Sequence, residues 1–197
     1  MSYSQRGQDL FAIQILNNIK NGTFLDFGCR GPIDINNTYL LEKEYHFSGL
    51  SFDIDKEEIN KWKNTDRNYD NAICCDLLTL NIEEKLNSFY KSNIIDYFSF
   101  DLEPPLLTLE VLKRFPFDKY KFKVITFEHD FYRGFNTLNP SRDIFLKNGY
   151  RKIKREYMNI YDVDKRIYLS EDWWIHPELL SVSEDILDSE MIDLINE

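Results

Sequence analysis

The sequence contains no apolar run that approaches the roughly 20 residues needed to cross a bilayer as a helix. Its first nine residues are too polar to form the apolar core of a secretory signal peptide. No low-complexity stretch, internal repeat or Pro/Gly-rich linker divides the 197 residues. We therefore expect a single domain over residues 1–197, with no membrane span and a cytoplasmic location.

Cysteine is scarce as well. The chain has three cysteines, of which Cys74 and Cys75 are adjacent and Cys29 stands alone. This spacing fits neither a disulfide framework nor the paired ligands of a zinc site. We expect all three thiols to fill space in or near strands, which agrees with a reducing, cytoplasmic environment.

Basic residues are outnumbered by acidic ones. The 24 lysines and arginines stand against 34 aspartates and glutamates, so the formal net charge is −10. A protein that holds a phosphate backbone normally has a basic face. The local basic cluster at residues 147–155 alternates with apolar residues, as on the solvent side of an amphipathic strand. Nucleic acid is therefore disfavoured as a partner.

The chain does contain a regular alternation of strand and helix patterns. A helical pattern at residues 8–19 precedes an apolar strand at Thr23–Phe27, and the alternation continues through five strands. Strand patterns at residues 150–161 and 166–175 follow each other closely and predict an antiparallel edge. An acidic helix or frayed end is expected at residues 184–195. The pattern predicts an α/β fold, with a mostly parallel sheet covered on both faces.

The first strand runs directly into a turn that contains Gly28 and Gly31. Glycines at such a turn let the backbone approach a ligand closely, although an ordinary strand-to-helix turn is the competing interpretation. The turn lacks the Lys-Ser/Thr pair of a phosphate-binding loop and the three-glycine dinucleotide pattern. An adenosine-bearing ligand without a pyrophosphate fits this turn better.

Every predicted parallel strand ends in an acidic residue. Ligands of open α/β sheets bind beyond the carboxyl ends of the strands, so these acids are expected at one edge. Asp53 is best placed to accept hydrogen bonds from ribose hydroxyls, with Asp55 behind it, unless either acid only caps the helix that begins at Lys56. The acids predict a cleft for a ligand rich in hydroxyls and amines. They are Asp26, Asp53, Asp55, Asp76, Asp101, Glu103 and Glu128, the last followed by His129.

Eight collinear segments resemble the FkbM-type S-adenosylmethionine-dependent methyltransferases. The resemblance implies a class I methyltransferase fold, three-layered and Rossmann-like, whose seven-stranded sheet is mostly parallel with an antiparallel C-terminal hairpin. It also implies S-adenosylmethionine as cofactor and O-methylation of a hydroxyl on a sugar, glycan or small molecule. The segments are residues 4–9, 22–28, 37–43, 49–53, 95–103, 125–129, 149–150 and 171–177.

The resemblance also implies roles for individual residues. The glycine turn would lie along the methionine part of the cofactor, with Asp26 orienting the turn. Asp53 would hold the ribose, Asp76 would face the adenine amine, and Asp101 would lie near the methionine amine or the acceptor. Gln5 and Gln8 would help to close the cofactor end. The full predicted cofactor-binding set is Gln8, Gly28, Cys29, Arg30, Gly31, Asp53, Ile54, Asp76, Leu77 and Asp101.

Two segments depart from the family pattern. The usual Gly-Ala-Asn-Asp-Gly turn is here Gly28-Cys-Arg-Gly-Pro32, and the usual Asp-Val/Thr-Glu-Gly is Asp101-Leu-Glu-Pro-Pro105. Both changes fall at the predicted cleft, so they affect activity or acceptor choice more than the fold. They motivate an alternative, in which the domain is a binding or assembly module of methyltransferase fold with weak or no catalytic activity.

Methylation of a hydroxyl is helped by a base within hydrogen-bond reach of the acceptor. The candidates are His129, Glu103 and Asp101, and His129 is preferred because its ordinary pKa lies near neutrality. A structural role for His129, bonded to a backbone carbonyl, is the alternative. The acids here could instead hold a divalent metal, but the resemblance calls for none, and we predict no metal.

The acceptor is expected to be a small molecule or a glycan. The loops that would bind it lie around Pro104, at residues 131–140 and at Trp173 and Trp174. Phe131, Tyr132 and Phe135, with Arg133, could form an aromatic wall against a sugar ring or a base. They could equally form a hydrophobic lid or an oligomer contact. The sequence leaves the oligomeric state open, a homo-oligomer included.

Overall fold

The computed structural model describes residues 1–158, 160 and 170–188. Strands and helices alternate through most of this chain, as the sequence predicts. The strands are β1 Thr23–Phe27, β2 Ser48–Asp53, β3 Ala72–Cys74, β4 Ile94–Phe100, β5 Lys121–Glu128, β6 Arg151–Lys152 and β7 Glu171–Ile175. The helices are α1 Gln8–Ile15, α2 Tyr39–Tyr45, α3 Lys56–Lys61, α4 Ile82–Phe89, α5 Pro105–Arg114, α6 Leu138–Lys147 and α7 Arg155–Met158.

The seven strands form one sheet in the order β3-β2-β1-β4-β5-β7-β6. Strands β1 to β5 are parallel, while β7 runs antiparallel to both of its neighbours, β5 and β6. The strand order reverses at β1, because β2 lies on one side of it and β4 on the other. This is the predicted three-layer α/β fold with an antiparallel C-terminal strand pair, and the prediction of fold class is confirmed.

Each central strand sends alternate side chains into one of two apolar layers. Phe27 and Phe98 belong to the layer on one face of the sheet, whereas Phe24 and Tyr97 belong to the layer on the other. All four are almost fully buried. Burial of a large apolar side chain contributes about 1.5–3 kcal/mol, so the aromatic-rich strands stabilise the edge on which the site is built.

The first helix is shorter than predicted. It ends at Ile15 instead of continuing to residue 19. Asn17, Asn18 and Asn21 all adopt positive φ values, between 54° and 58°, which a continuing α-helix does not allow. Asparagine tolerates this conformation better than most residues, so the asparagines turn the chain towards β1.

The C-terminal part differs more from the prediction. The expected strand at residues 150–161 is wrong, because only Arg151–Lys152 pairs as β6 and the chain then forms α7. The amide of Lys154 donates to the carbonyl of Ile186 at 2.8 Å, which draws the chain away from β7. Where an acidic helix or a frayed end was expected from residue 184, a 3-10 turn at Glu184–Ile186 is followed by a bridge between Ile153 and Leu187. Residues 159, 161–169 and 189–197, which carry parts of these predictions, lie outside the described residues.

Candidate functional site

A cavity of about 610 Å³ opens at the carboxyl ends of the parallel strands, where the sequence predicts a site. Its volume falls in the range of roughly 300–1,000 Å³ that is common for small-molecule sites. Eight carboxylic acids and three arginines are among its lining residues. The lining is Gln5, Arg6, Gly28, Arg30, Asp53, Ile54, Asp55, Glu58, Cys75, Asp76, Leu77, Asp101, Leu102, Glu103, Leu107, Glu128, Asp130, Tyr132 and Arg133.

The turn after β1 forms one wall of the cavity. Gly28 has φ +84°, and a Cβ there would overlap the carbonyl oxygen of Asp101. The amides of Gly28 and Cys29 donate to the carbonyl of Phe52, at 2.8 and 3.1 Å, and the amide of Arg30 donates to Asp53 at 2.8 Å. These three amides are therefore engaged within the protein, which agrees with the predicted lack of a phosphate-binding loop.

A buried arginine fixes the far side of the same turn. The guanidinium of Arg67 donates to the carbonyl of Pro32 at 3.0 Å, to Asn36 Oδ1 at 2.8 Å and to Glu42 Oε2 at 2.8–2.9 Å. It also lies over the ring of Trp62, 4.1 Å from the centroid. Arg67 thereby connects the glycine turn to the start of α2, and it was not singled out from the sequence.

Asp53 and Asp55 have different environments at the end of β2. Both carboxylate oxygens of Asp53 accept backbone amides, from Arg30 and from Asp55, at 2.8 Å each. Asp55 Oδ1 accepts the amides of Glu57 and Glu58 and so caps α3. Asp53 therefore lies on the cavity wall in a fixed orientation, while the helix-capping interpretation holds for Asp55.

The end of β3 supplies a mixed polar and apolar wall. Asp76 accepts the amide of Leu78 at 2.9 Å and lines the cavity beside Leu77 and Cys75. Ile54 lines the same cavity and is 65% exposed although it is a large apolar residue. An exposed isoleucine over a cavity offers apolar surface to a ligand.

Two acids from neighbouring strands meet deeper in the cavity. The Glu128 carboxyl, at the end of β5, is hydrogen-bonded to Asp101, which follows β4. Burial, together with this bond, raises the pKa of Glu128 to about 12, so Glu128 carries the proton and donates to the Asp101 carboxylate. Burial also raises the pKa of Asp101, while the charges of Arg30 and Arg6 act in the opposite direction.

An ion pair joins the loops that follow β4 and β5 at the cavity mouth. Arg133 Nη1 donates to both carboxylate oxygens of Glu103, at 2.7 and 3.0 Å, and to Asp130 Oδ2 at 2.9 Å. The side chains of Glu103 and Arg133 are 62% and 38% exposed. Exposed pairs of this kind contribute little stability, so Glu103 remains able to exchange partners.

The structure does not bring His129 to the cavity. Its side chain is fully buried behind the wall, with Nδ1 accepting the amide of Phe131 at 3.3 Å and Nε2 lying 3.9 Å from Asp172 Oδ2. Burial lowers the pKa of His129 to about 4. Asp172 is itself held by Arg142, at 2.6 and 2.9 Å. His129 thus lies in a buried network, whereas the other two candidate bases, Asp101 and Glu103, line the cavity.

Of the remaining predicted residues, some line a pocket and others only make contacts within the protein. Gln8 is buried and donates to Glu171 Oε1 at 2.9 Å. Together with Cys29 it lines a second, small pocket of about 30 Å³, which Asp26 and Asp101 also border. Burial raises the pKa of the Cys29 thiol well above its ordinary value. The carbonyl of Gly31 accepts Asn36 Nδ2 at 3.0 Å, and Gly31 lines neither the large cavity nor this pocket.

Several lining residues were not among the predicted site residues. Glu128 was noted as a strand-end acid, and the acidic pattern could have placed it in the site. Arg133 lies in the loop at residues 131–140 that is predicted to bind the acceptor. Arg6 and Asp130 had no such signal, because they reach the cavity from segments without a periodic pattern. Among the described residues, no group of histidines, cysteines and acids is arranged to hold a metal ion.

Solved structures with the same fold share little sequence with this chain. The plantazolicin methyltransferase BpumL, solved in complex with S-adenosylhomocysteine, is 12% identical over 86% of this chain and 82% of that chain, with a TM-score of 0.51. A Listeria monocytogenes protein assigned as an S-adenosylmethionine-dependent methyltransferase is 14% identical over 86% and 96%, with a TM-score of 0.52. A Streptococcus agalactiae protein of the NADB-Rossmann superfamily is 13% identical over 89% and 69%, with a TM-score of 0.50.

These comparisons, together with the strand order, define a Rossmann-like methyltransferase fold. No family model and no curated protein matches the chain. In the part of the chain that the structure describes, none of the helices has both the length and the apolarity that a transmembrane segment requires.

Proposed function

We propose that this protein is an S-adenosylmethionine-dependent methyltransferase that methylates a hydroxyl group on a sugar, a glycan or another small molecule. The observation that carries the proposal is the cavity at the carboxyl ends of β1 to β5, with Gly28 at its wall and an acid at the end of each neighbouring strand. An excess of acids over arginines favours a ligand that carries positive charge, as a sulfonium does.

The residues present fit the parts of this cofactor. Asp53 is held in place by two backbone amides and keeps acceptor capacity for ribose hydroxyls. Ile54 and Leu77 supply apolar surface for the adenine ring, and Asp76 lies beside them for its amine. Arg6, whose Nη1 is buried without a hydrogen-bond partner among the described residues, is available to bind an anionic group of the ligand.

The cofactor supplies an activated methyl group, so the chain's task is to align the acceptor and to take up its proton. Glu103 is the base that we propose, because it lines the cavity at the mouth and its partner Arg133 is exposed. Asp101 lies deeper and is engaged with Glu128. The preferred base of the sequence analysis, His129, has no access to the cavity and is proposed to be structural.

Membership of the FkbM-type family remains part of this proposal, and so does a cytoplasmic location. The family resemblance supports a hydroxyl acceptor, and the exposed ring of Tyr132 on the cavity wall supports a sugar, because aromatic side chains present flat apolar surface to a ring. Glu103 and Arg133, at the same mouth, would bond the hydroxyls of such an acceptor.

Titration calorimetry with S-adenosylmethionine and S-adenosylhomocysteine tests the proposal. We expect both to bind the wild type, and Asp53→Asn to weaken binding by about 10- to 100-fold, because a hydrogen bond to a charged group contributes about 1.5–3 kcal/mol. Asp55→Asn is the matched control, since Asp55 also lines the cavity but serves as a helix cap. Its affinity should change little.

Two results would count against the proposal. Equal weakening by the Asp53 and Asp55 variants would remove the ribose assignment. If neither ligand gives heat at millimolar concentration, the proposal of a methyltransferase is rejected. The alternative of a binding or assembly module with the methyltransferase fold is then favoured.

A further inference from the structure

Arg6 reaches the cavity from the segment that precedes α1. Its backbone amide donates to Gln8 Oε1 at 2.8 Å, and Gly7 at the helix start has φ 80°. These two features fix the direction in which the chain enters the helix. The side chain of Arg6 is half-buried and lines the large cavity together with its neighbour Gln5.

The guanidinium of Arg6 has no hydrogen-bond acceptor among the residues that the structure describes. Its Nη1 is shielded from solvent and makes no hydrogen bond, and within residues 1–158, 160 and 170–188 no ion pair involves this side chain. A guanidinium carries five N–H donors, and a buried charged donor that has no acceptor is unfavourable. Such a group is explained most simply if a ligand supplies the acceptor.

The acids near Arg6 are already engaged with other residues. Its charge acts on Asp101 and on Glu171, yet Asp101 is bonded to Glu128 and Glu171 accepts from Gln8. An unpaired cation and a carboxylate therefore face the same cavity without bonding to each other. That arrangement is complementary to a zwitterion, in which a carboxylate and an ammonium lie one carbon apart.

The other two arginines of the cavity do not have this property. Arg133 is paired with Glu103 and Asp130. Arg30 is exposed, so water can satisfy its donors.

We propose that Arg6 and Asp101 together bind the α-amino-acid end of the ligand, with Arg6 on its carboxylate and Asp101 on its ammonium. The inference rests on the proposed function, because S-adenosylmethionine carries such an end. An acceptor that is itself an amino acid is the other source of the same chemistry. A guanidinium suits this role because it can bond both carboxylate oxygens at once.

The test compares S-adenosylmethionine with its decarboxylated form, which keeps the sulfonium and the amine but lacks the carboxylate. Calorimetry on the wild type should show the complete cofactor binding about 10- to 100-fold more tightly, as expected for a charged hydrogen-bonded pair. In Arg6→Gln this preference should fall to about one, because only the complete cofactor loses a contact, and Arg6→Lys should keep part of it. Arg114→Gln removes the same charge from the exposed face of α5, outside the cavity lining, and as the matched control it should keep the wild-type preference.

A preference that persists in Arg6→Gln, or that is absent in the wild type, would overturn the assignment to the cofactor. The second source is then tested with L-homoserine as the probe, in the presence of S-adenosylhomocysteine. Binding of the probe that depends on Arg6 would support an amino-acid acceptor, and no binding would overturn the inference completely. Failure of S-adenosylmethionine to bind the wild type would instead overturn the proposed function, and this inference with it.

Discussion

Gly28 is the position at which one added methyl group should have the largest effect. Two separate features act against a side chain there. The backbone has φ +84°, and a Cβ would overlap the carbonyl of Asp101. That carbonyl cannot move away easily, because the amide of Asp101 is bonded to the carbonyl of Phe27 at 2.9 Å in the β1–β4 ladder.

Gly134 allows the two effects to be measured separately, because it shares the positive φ of Gly28 but not the steric overlap. Its φ is +88°, and a Cβ there would meet nothing within 4 Å. An alanine with positive φ is unfavourable by about 1–2 kcal/mol, partly offset by the lower entropy of the unfolded chain. We therefore expect Gly134→Ala to lower the free energy of unfolding by about 1 kcal/mol. Overpacking adds about 1–3 kcal/mol, so Gly28→Ala should lower it by about 3 kcal/mol.

Urea and thermal unfolding, followed by circular dichroism, measure both variants. For a chain of this length, about 2–4 °C of melting temperature corresponds to 1 kcal/mol, so the expected decreases are about 2–4 °C for Gly134→Ala and about 6–12 °C for Gly28→Ala. Equal decreases would refute the reasoning, because the overlap with Asp101 would then contribute nothing. Gly28→Ala should also weaken S-adenosylhomocysteine binding, whereas the control should not.

Two further predictions concern buried charged or titratable groups. Arg67→Met should lower the free energy of unfolding by about 3–5 kcal/mol, because Glu42 Oε2, the Pro32 carbonyl and Asn36 Oδ1 all lose this donor. Arg114→Met, on the exposed face of α5, should change it by less than about 0.5 kcal/mol. Similar losses for the two variants in urea unfolding would contradict this. Because the pKa of His129 is lowered to about 4, the unfolded chain binds a proton between pH 6.5 and 4 that the folded protein does not. The free energy of unfolding should therefore decrease as the pH falls through this window, and in His129→Phe this decrease should be smaller by up to about 3 kcal/mol. If the variant has the same pH profile of unfolding as the wild type, His129 is not buried in its neutral form.

The sequence predicts the fold well because the relevant signals are local. The strand at Thr23–Phe27 was located to the residue, since a short apolar run between glycines leaves few other conformations. The cavity followed from topology, because the carboxyl ends of parallel strands share one edge. Asp53, Asp76 and Asp101 lie on its wall for that reason.

The parts that could not be predicted depend on contacts between distant residues. His129 directly follows Glu128, which lines the cavity, but its own side chain is buried in the network with Asp172. Asp130 then turns the chain with a positive φ of 46°. The alternation of side chains along a strand predicts which face each of its residues lies on, but it does not predict where residues beyond the end of the strand lie. Arg6 and Arg133 reach the cavity through loops. Their positions depend on tertiary packing, which periodic patterns in the sequence do not predict.

The position of β7 between β5 and β6 has a consequence for synthesis on the ribosome. Among the described residues β6 pairs with β7 alone, and β7 emerges after it, so neither can join the sheet until Ile175 has been made. Until then β5 presents an unpaired edge, which is a template for association with other chains. The bond from Gln8 to Glu171 also requires β7, since it joins α1 to this strand. The nascent protein should therefore depend on protection of the β5 edge until β7 inserts.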